Sequence, residues 1–508
     1  MGNLTRRGFL GGVAGAGAVT LAPSPAAARV AVEEPGATAT SPRFFGRMFG
    51  GLPPFAENTP RTQDALRAMG AIGGPLDAKD PLHEGPIRLI TNPELSPGNL
   101  DNPFHTAGMT FLGQFIDHDF TFDLNSRLAV PAVPEQSPNT RNPTLSLDSV
   151  YGGGPVQSPQ LYDSNDRAKF RVEHGGLFED LPRRQDGVAI IGDPRNDENI
   201  MIAGLHVAIL LFHNRIVDRL RAQGTPADRV FADAQRTVVW HYQWIVVHEF
   251  LPATIGFGLT QDILTHGRRY YRPAQGQHFM PVEFQGACYR FGHSQVRPSY
   301  RANLKGDSNN QPFFGFVFDP AGEGQADPVD LRGGRRARRR FIGWQTFFDF
   351  GDGQVRPNKR IDTHISTPLF KLPLGAIADG QPPISLPQRN LLRHLTWSLP
   401  SGQAVAKAMG IPVLDNIPEL REFGFDRSTP LWYYTLREAE TLGDGLSLAG
   451  ATARLVGEVF VGLLQLDPES YLRQQPGWKP TLPSRNAGQF TMVDLLRFAR
   501  VDPSSRGQ

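Results

Sequence analysis

The sequence predicts a mainly α-helical protein, organised as a single large helical domain with long loops and little strand. Apolar residues recur with helical spacing in several long runs, whereas the alternation typical of strands is scarce. Apolar residues make up 40% of the 508-residue chain, interrupted by 54 Gly and 44 Pro. This composition allows a large core but assigns much of the chain to loops.

The N-terminus differs from the rest of the chain. Arg6 and Arg7 precede a Gly/Ala-rich run from Gly11 to Ala22, and Ala26 to Ala28 offer a small-residue cleavage site. These parts are typical of a secretory signal, and the paired arginines resemble a twin-arginine signal. We predict a signal peptide at 1–28, a flexible N-terminal arm at 29–60 and the main domain at 61–508. The signal predicts an exported protein, periplasmic or secreted, with no integral membrane segment after signal removal.

Charge and cysteine content exclude several classes of partner and bond. The 52 basic and 50 acidic side chains give no net field that would recruit nucleic acid or an anionic membrane. The arginine-rich run Arg332 to Arg340 is therefore interpreted as a solvated basic loop. Cys288 is the only cysteine, so no intrachain disulfide can form.

Amphipathic runs predict helices along most of the chain. In the first of them, His206 and His213 are seven residues apart, a spacing that favours packing over a shared metal. The predicted helices are Glu198–Arg221, Arg229–Leu251, Leu391–Trp397, Gly402–Met409, Ser428–Leu442 and Ala449–Leu464.

The most concentrated polar cluster is Gln114-Phe-Ile-Asp117-His118-Asp119, inside the apolar frame Met109 to Phe122. In a helix, Gln114 and His118 share a face, whereas Asp119 is rotated away by about 100° per residue. One short helix could therefore serve two ligands. Alone, the hexapeptide favours a charged turn at a helix end with a structural histidine over a catalytic site.

Three further polar motifs follow in order. Arg195 and Glu198 are three residues apart at the head of a long predicted helix, where an ordinary cap with a local ion pair is the alternative. In the run Arg290 to His293, a glycine removes bulk beside a histidine. The run Asn390 to Arg393 precedes Leu399-Pro-Ser and could by itself be a helix end.

Together and in this order, these motifs resemble the animal-type haem peroxidase family, over roughly Asn102 to Leu464. The resemblance implies a haem peroxidase domain with haem b as its cofactor. It further implies an enzyme that reduces hydrogen peroxide through a ferryl intermediate and oxidises small organic or anionic donors. The reducing substrate and the oligomeric state stay open.

On the distal side, the resemblance makes His118 the acid–base residue, because a neutral imidazole can take a proton from one peroxide oxygen and return it to the other. Arg195 would stabilise the negative charge that develops, and Gln114 would hold distal water or a small anion. Asp117 and Glu198 match positions that form ester bonds to haem methyl groups in the mammalian members.

On the proximal side, the resemblance makes His293 the axial iron ligand. Asn390 would accept the proton of its other ring nitrogen, and Arg290 and Arg393 would pair with the haem propionates. Asn199 stands where some members have a methionine that forms a third haem link, so strong chloride oxidation is not expected.

A calcium site is also implied. Asp119 resembles the family's calcium ligand, and Thr144, Ser146 and Asp148 would supply further oxygen donors from one loop. Without the resemblance, an Asx or Ser turn explains that loop equally well.

Two rival functions remain. Haem-dependent fatty-acid dioxygenases use a tyrosine near the haem, and the comparable aromatic stretch here, Trp344 to Phe350, has no tyrosine. A non-catalytic haem-binding or adhesion protein is the second rival. Haem storage would not require His118 together with Arg195, so the sequence favours the peroxidase.

Overall fold

The computed structural model describes residues 44–508, apart from 176, 275–277, 307–308, 335–336 and 378. The predicted signal peptide and the predicted arm up to residue 43 lie outside the described residues. The rest of the predicted arm is packed: Phe45 is 1% exposed, and Glu283 accepts hydrogen bonds from the backbone N–H groups of Met48 and Phe49. Residues before 61 therefore already belong to the packed domain.

The described part of the chain is predominantly helical, which confirms the predicted fold class. The α-helices are α1 Pro60–Met69, α2 Gly85–Thr91, α3 Gly108–Phe120, α4 Asp148–Tyr151, α5 Gly154–Gln157, α6 Ile200–Ala222, α7 Val230–Ile245, α8 Leu251–Ile255, α9 Phe257–His266, α10 Val282–Gly286, α11 Leu386–Thr396, α12 Gly402–Ala408, α13 Leu431–Gly443, α14 Gly450–Leu466, α15 Tyr471–Gln474, α16 Met492–Phe498 and α17 Pro503–Arg506.

Short strands pair in twos at the edges of this helical core. β1 pairs with β5 in parallel, whereas β2 with β8, β3 with β4, and β6 with β7 are antiparallel. Their bounds are β1 Phe45–Gly46, β2 Asp101–Thr106, β3 Glu173–His174, β4 Glu179–Asp180, β5 Met280–Pro281, β6 Ser299–Asn303, β7 Phe313–Phe316 and β8 Pro357–Lys359.

Helix α3 carries the polar cluster into the middle of the molecule. A Cβ at its first residue, Gly108, would lie 2.6 Å from the Phe348 ring, so only glycine allows this close approach. Phe111, Phe115 and Ile116 are buried on one face of the helix. Burial of this face places the polar residues between them against the neighbouring loops.

Helix α6 is the long core helix. It begins after Asn199, whose side chain accepts a hydrogen bond from the N–H of Ile202, and Arg219 and Arg221 lie in its last turn, as expected for a capped helix. Among the described residues it is the one helix long and apolar enough to cross a membrane, but 83% of its most apolar window is buried inside the protein.

The other predicted helices appear with shifted ends. The run from Arg229 is divided into α7, a π-helical turn Val246–Phe250 and α8, because the chain there changes its hydrogen-bond register. The helix predicted from Leu391 begins five residues earlier, where Ser385 caps α11.

The prediction of a solvated basic loop is wrong for Arg332 and Arg340, the two ends of the arginine-rich run. Arg340 is 0% exposed and donates to backbone carbonyls, including that of Asp330 at 2.9 Å. Arg332 forms an ion pair with the Asp330 carboxylate at 2.9 Å. These guanidinium groups hold loop backbone together, so they offer no surface to a polyanion.

Candidate functional site

One internal cavity brings two histidines from distant parts of the chain together. His118 on α3 and His293, at the end of a 3₁₀ turn Cys288–His293, both line it. The volume of this cavity is about 240 Å³. Six further residues that the sequence predicted for the site share this lining, namely Gln114, Asp117, Arg195, Glu198, Arg290 and Arg393.

His118 is held as a neutral base. Burial, followed by the charge of Arg195, lowers the pKa of His118 to about 3. Its Nδ1 lies 2.9 Å from Oδ1 of Asn196, a residue of the 3₁₀ turn Pro194–Asp197. Among the described residues no hydrogen bond to its Nε2 is found, so this nitrogen is available to a ligand in the cavity.

Arg195 is anchored on one edge and open on the other. Its Nη2 lies 2.8 Å from the Asp193 carboxylate, and its guanidinium carbon lies 4.2 Å from the centre of the Phe122 ring. Its Nη1 lies 3.8 Å from Asp117 at the cavity wall. Burial opposes the ionisation of Asp193, but Arg195 and then Arg141 lower its pKa. The arginine is thereby fixed beside His118.

Two carboxyl groups face the cavity, and their burial favours the protonated, neutral form. Burial raises the pKa of Glu198 to about 8 and also raises that of Asp117, although Arg195 opposes both shifts. Gln114 donates to Glu198 at 3.0 Å and accepts from Asn199 at 3.2 Å. The amide predicted to hold distal water is thus tied to the carboxyl group and to the residue that caps α6.

Asn390 of α11 lies against His293, with its amide nitrogen, and not the predicted acceptor oxygen, towards the ring. Nδ2 of Asn390 lies 2.8 Å from Nδ1 of the histidine, and burial followed by the charge of Arg290 lowers the pKa of His293 to about 3. Nε2 is therefore the nitrogen left for a ligand. A metal there would leave Nδ1 protonated, and Asn390 would then have to present its oxygen, by rotation of the amide. Gly292 lines the cavity beside His293, and a Cβ built on it meets no atom within 4 Å.

Arginines gather at one end of the cavity. Burial, and then the charge of Arg393, lower the pKa of Arg290 to about 9. Arg393 pairs with Asp123 at 2.9 Å, and Arg389, which the sequence analysis missed, also lines the cavity. Such a group of partly buried cations favours an anionic ligand, and carboxylates suit guanidinium groups.

The predicted calcium residues also come together. Asp119 is fully buried and accepts from the N–H of Leu147 at 3.0 Å, and Thr144 donates to Ser146 at 3.1 Å. Burial and the neighbouring carboxylate of Asp148 raise the pKa of Asp119 well above its usual value. Among the described residues, no group of three or more His, Cys, Asp or Glu side chains is placed to hold a metal.

A tyrosine outside the aromatic stretch Trp344 to Phe350 lies at the cavity wall. Trp344 and Phe348, from the stretch examined for a tyrosine, are buried against one another and are not part of the lining. Tyr289 does line the cavity, and its hydroxyl donates to the carbonyl of Gly113 at 3.0 Å. Tyr289 directly precedes the Arg290 to His293 motif, and this position in the sequence could have indicated that it lies near the site.

The donor set fits a haem. Two histidines, whose Nε2 atoms have no hydrogen-bond partner among the described residues, line one aromatic-walled cavity. Arginines suited to propionates gather at one end, and two carboxyl groups of raised pKa lie at the wall. A family model described as animal haem peroxidase matches residues 133–321. That segment contains Arg195, Glu198, Arg290 and His293. Over this segment, the chain is similar to animal haem peroxidases.

Relatives whose names include peroxidase match limited segments of the chain. A peroxidase-like protein of Margaritifera margaritifera is 33% identical over 115 residues, 21% of this chain and 14% of the relative. A chorion peroxidase of Aedes aegypti is 23% identical over 325 residues, 61% of this chain and 38% of the relative. The chain thus spans well under two thirds of the length of these peroxidases.

Solved structures have a similar fold over most of the chain. Peroxidase A from Dictyostelium discoideum has a TM-score of 0.59 at 16% identity, covering 90% of this chain and 93% of that one. A fatty acid alpha-dioxygenase from Arabidopsis thaliana also has a TM-score of 0.59, at 13% identity, covering 92% and 78%. At such identities the fold does not distinguish the two activities.

Proposed function

We propose that this chain is a haem-dependent peroxidase that reduces hydrogen peroxide and oxidises small organic or anionic donors. The observation that carries the proposal is the placement of neutral His118, with Nε2 free beside Arg195, in the same cavity as His293. A peroxidase needs both a distal base and a proximal ligand, and a haem-storage or adhesion protein needs only the second.

Bound haem would supply the iron that accepts electrons from the donor and delivers them to peroxide. His293 would bind it through Nε2, and Arg290, Arg389 and Arg393 would face its propionates. His118 would take the proton from one peroxide oxygen and return it to the other, which leaves as water. Arg195 would stabilise the negative charge on the departing oxygen through its open Nη1 edge.

Asp117 and Glu198 are proposed to form ester bonds to haem methyl groups. For each bond, one hydrogen peroxide would accept a hydrogen from the methyl carbon and the proton of the carboxyl group and be reduced to two waters. Both lie at the cavity wall, and burial favours their neutral carboxyl form. Asn199 occupies the position of the third link and is used for capping and for holding Gln114. We therefore expect two links at most.

A calcium ion is proposed at Asp119, Asp148, Thr144 and Ser146. Burial and the neighbouring Asp148 raise the pKa of Asp119, and a divalent cation between these oxygen donors would stabilise the charged carboxylate. The twin-arginine-type signal supports export to the periplasm or outside the cell, because that segment has the parts of a secretory signal.

The ultraviolet–visible spectrum of the purified protein, with and without peroxide, tests the proposal. We expect a Soret band that shifts when peroxide is added and returns when a small phenol is supplied. A fully haem-loaded sample that turns over no phenol would overturn the peroxidase and favour the haem-binding protein.

A fatty-acid dioxygenase is the second candidate, because Tyr289 lines the cavity and one structural neighbour carries that name. Oxygen uptake with a long-chain fatty acid distinguishes the two functions. Rapid uptake that is lost in Tyr289→Phe would favour the dioxygenase, whereas phenol oxidation that persists in Tyr289→Phe favours the peroxidase.

A further inference from the structure

Two buried polar side chains lie directly behind His118. Asn196 and His206 are 0% and 1% exposed, and no role in the proposed reaction has been given to either. Oδ1 of Asn196 lies 2.9 Å from Nδ1 of His118, and its Nδ2 lies 3.0 Å from Nδ1 of His206. One amide therefore joins the distal histidine to a histidine of α6.

We propose that Asn196 and His206 are positioning residues that fix the tautomer of His118, so that its Nε2 lone pair faces the cavity. This inference rests on the proposed peroxidase function, in which His118 must accept a proton. The ring nitrogen that carries hydrogen is set by the partner of the other nitrogen.

The Asn196 amide can have two orientations, which select different tautomers of His118, and only one tautomer allows the reaction. When Oδ1 of Asn196 faces His118, Nδ1 of His118 carries the hydrogen and Nε2 is a base. If the amide were reversed, its NH₂ group would donate to Nδ1, and Nε2 would carry a hydrogen that blocks proton transfer from peroxide. The structure has the first orientation.

His206 is the group that selects this orientation. Its Nδ1 accepts from Nδ2 of Asn196, so reversal of the amide would require His206 to exchange its own hydrogen between nitrogens. The backbone limits movement too, because the N–H of Asn196 donates to the carbonyl of Asp193 at 3.0 Å. Asn196 also lies between Arg195 and Glu198, and its displacement would disturb two cavity walls.

The C–O stretching frequency of the ferrous carbonyl complex of the full-length, haem-loaded protein tests the tautomer directly. A hydrogen on Nε2 of His118 would donate to bound CO and lower this frequency, whereas a lone pair would not. We expect Asn196→Leu to lower the frequency and to slow the reaction with peroxide by roughly 10²-fold. The donor KM should be unchanged.

His206→Leu provides a second variant in case Asn196→Leu does not fold. In this variant the side-chain amide of Asn196 would be free to rotate, so both tautomers of His118 would be populated. We therefore expect two C–O bands where the wild type has one. The matched control is His213→Gln, which alters another buried histidine of α6 that contacts Tyr151 and the Ala168 carbonyl instead. It should leave the single band unchanged.

A haem-loaded Asn196→Leu or His206→Leu variant with the wild-type band and the wild-type peroxide rate would overturn the inference. Failure of the peroxidase proposal looks different, because the wild type itself would then bind no haem or would not react with peroxide. A purely structural role for the pair would lower stability without moving the C–O band.

Discussion

At the scale of single residues, the site depends on which protonation states burial allows. His118 and His293 both have a pKa near 3, so both are neutral and carry a free nitrogen at any pH where the protein is used. Arg195 remains charged, because burial is outweighed by Asp193. A neutral base beside a fixed cation suits heterolytic cleavage of peroxide.

Substitution of each histidine should separate reactivity from haem binding. We expect His118→Gln to retain haem but to lose roughly 10² to 10⁴-fold in the rate of reaction with peroxide, since it lacks the base. His293→Ala should instead lower the haem content of the purified protein. Stopped-flow absorbance and haem quantification measure the two effects, and equal haem loss in both variants would contradict this division of roles.

Removal of a carboxyl group tests the proposed covalent attachment. Acid-acetone extraction should leave haem on the wild-type protein, because ester bonds survive it. The double variant Asp117→Asn, Glu198→Gln should release all of its haem, and each single variant should retain one link. Complete release from the wild type would show that the two carboxyl groups only form hydrogen bonds.

At the scale of elements, α3 makes the distal site and the candidate cation site neighbours. Asp117, His118 and Asp119 are consecutive, and successive helical side chains diverge by about 100°. Asp117 and His118 thus reach the cavity while Asp119 reaches Leu147 and Ser149 at the start of α4. Loss of a cation at Asp119 should therefore alter the geometry of Asp117 and His118 in the cavity.

Chelation tests this coupling. Prolonged treatment with a calcium chelator should lower the unfolding temperature and alter the haem spectrum, and added calcium should restore both. Asp119→Asn should be less sensitive to the chelator, since it lacks a charged ligand. An unchanged spectrum after measured loss of calcium would contradict the coupling.

Helix α6 carries buried histidines that should lower the free energy of unfolding at acidic pH. Burial lowers the pKa of His213 to about 4, against about 6.5 in an unfolded chain. Between these values the unfolded chain binds a proton that the folded protein does not, so this histidine lowers the free energy of unfolding as the pH falls from 6.5 to 4.

The variant His213→Gln lacks this titration. The stability advantage of the wild type over the variant should therefore narrow by roughly 2 to 3 kcal/mol between pH 7 and pH 4.5. Denaturant unfolding at both pH values measures the difference. A constant advantage would mean that His213 is protonated in the folded protein or is not buried.

At the scale of the whole molecule, the helices and the main site residues could be predicted because each has a local signal. Asn199 before an apolar run marks the start of α6, and Gly292 leaves space in the cavity beside His293. The packed segment 44–60 could not be predicted from its composition. Its order comes from Glu283, more than 230 residues away, which binds the backbone at Met48 and Phe49.

The sequence by itself determined the fold class and the chemical inventory of the site: a histidine for each side of the cavity, the arginine, and the carboxyl groups. Residue type and short-range spacing carry that information. Only the tertiary structure decided that Asn196 and His206 stand behind His118, that Arg389 joins the arginines, and that Tyr289 reaches the cavity wall. The physical reason is that these placements depend on contacts between residues far apart in the chain, and burial at those contacts sets the hydrogen-bond partners and the pKa values.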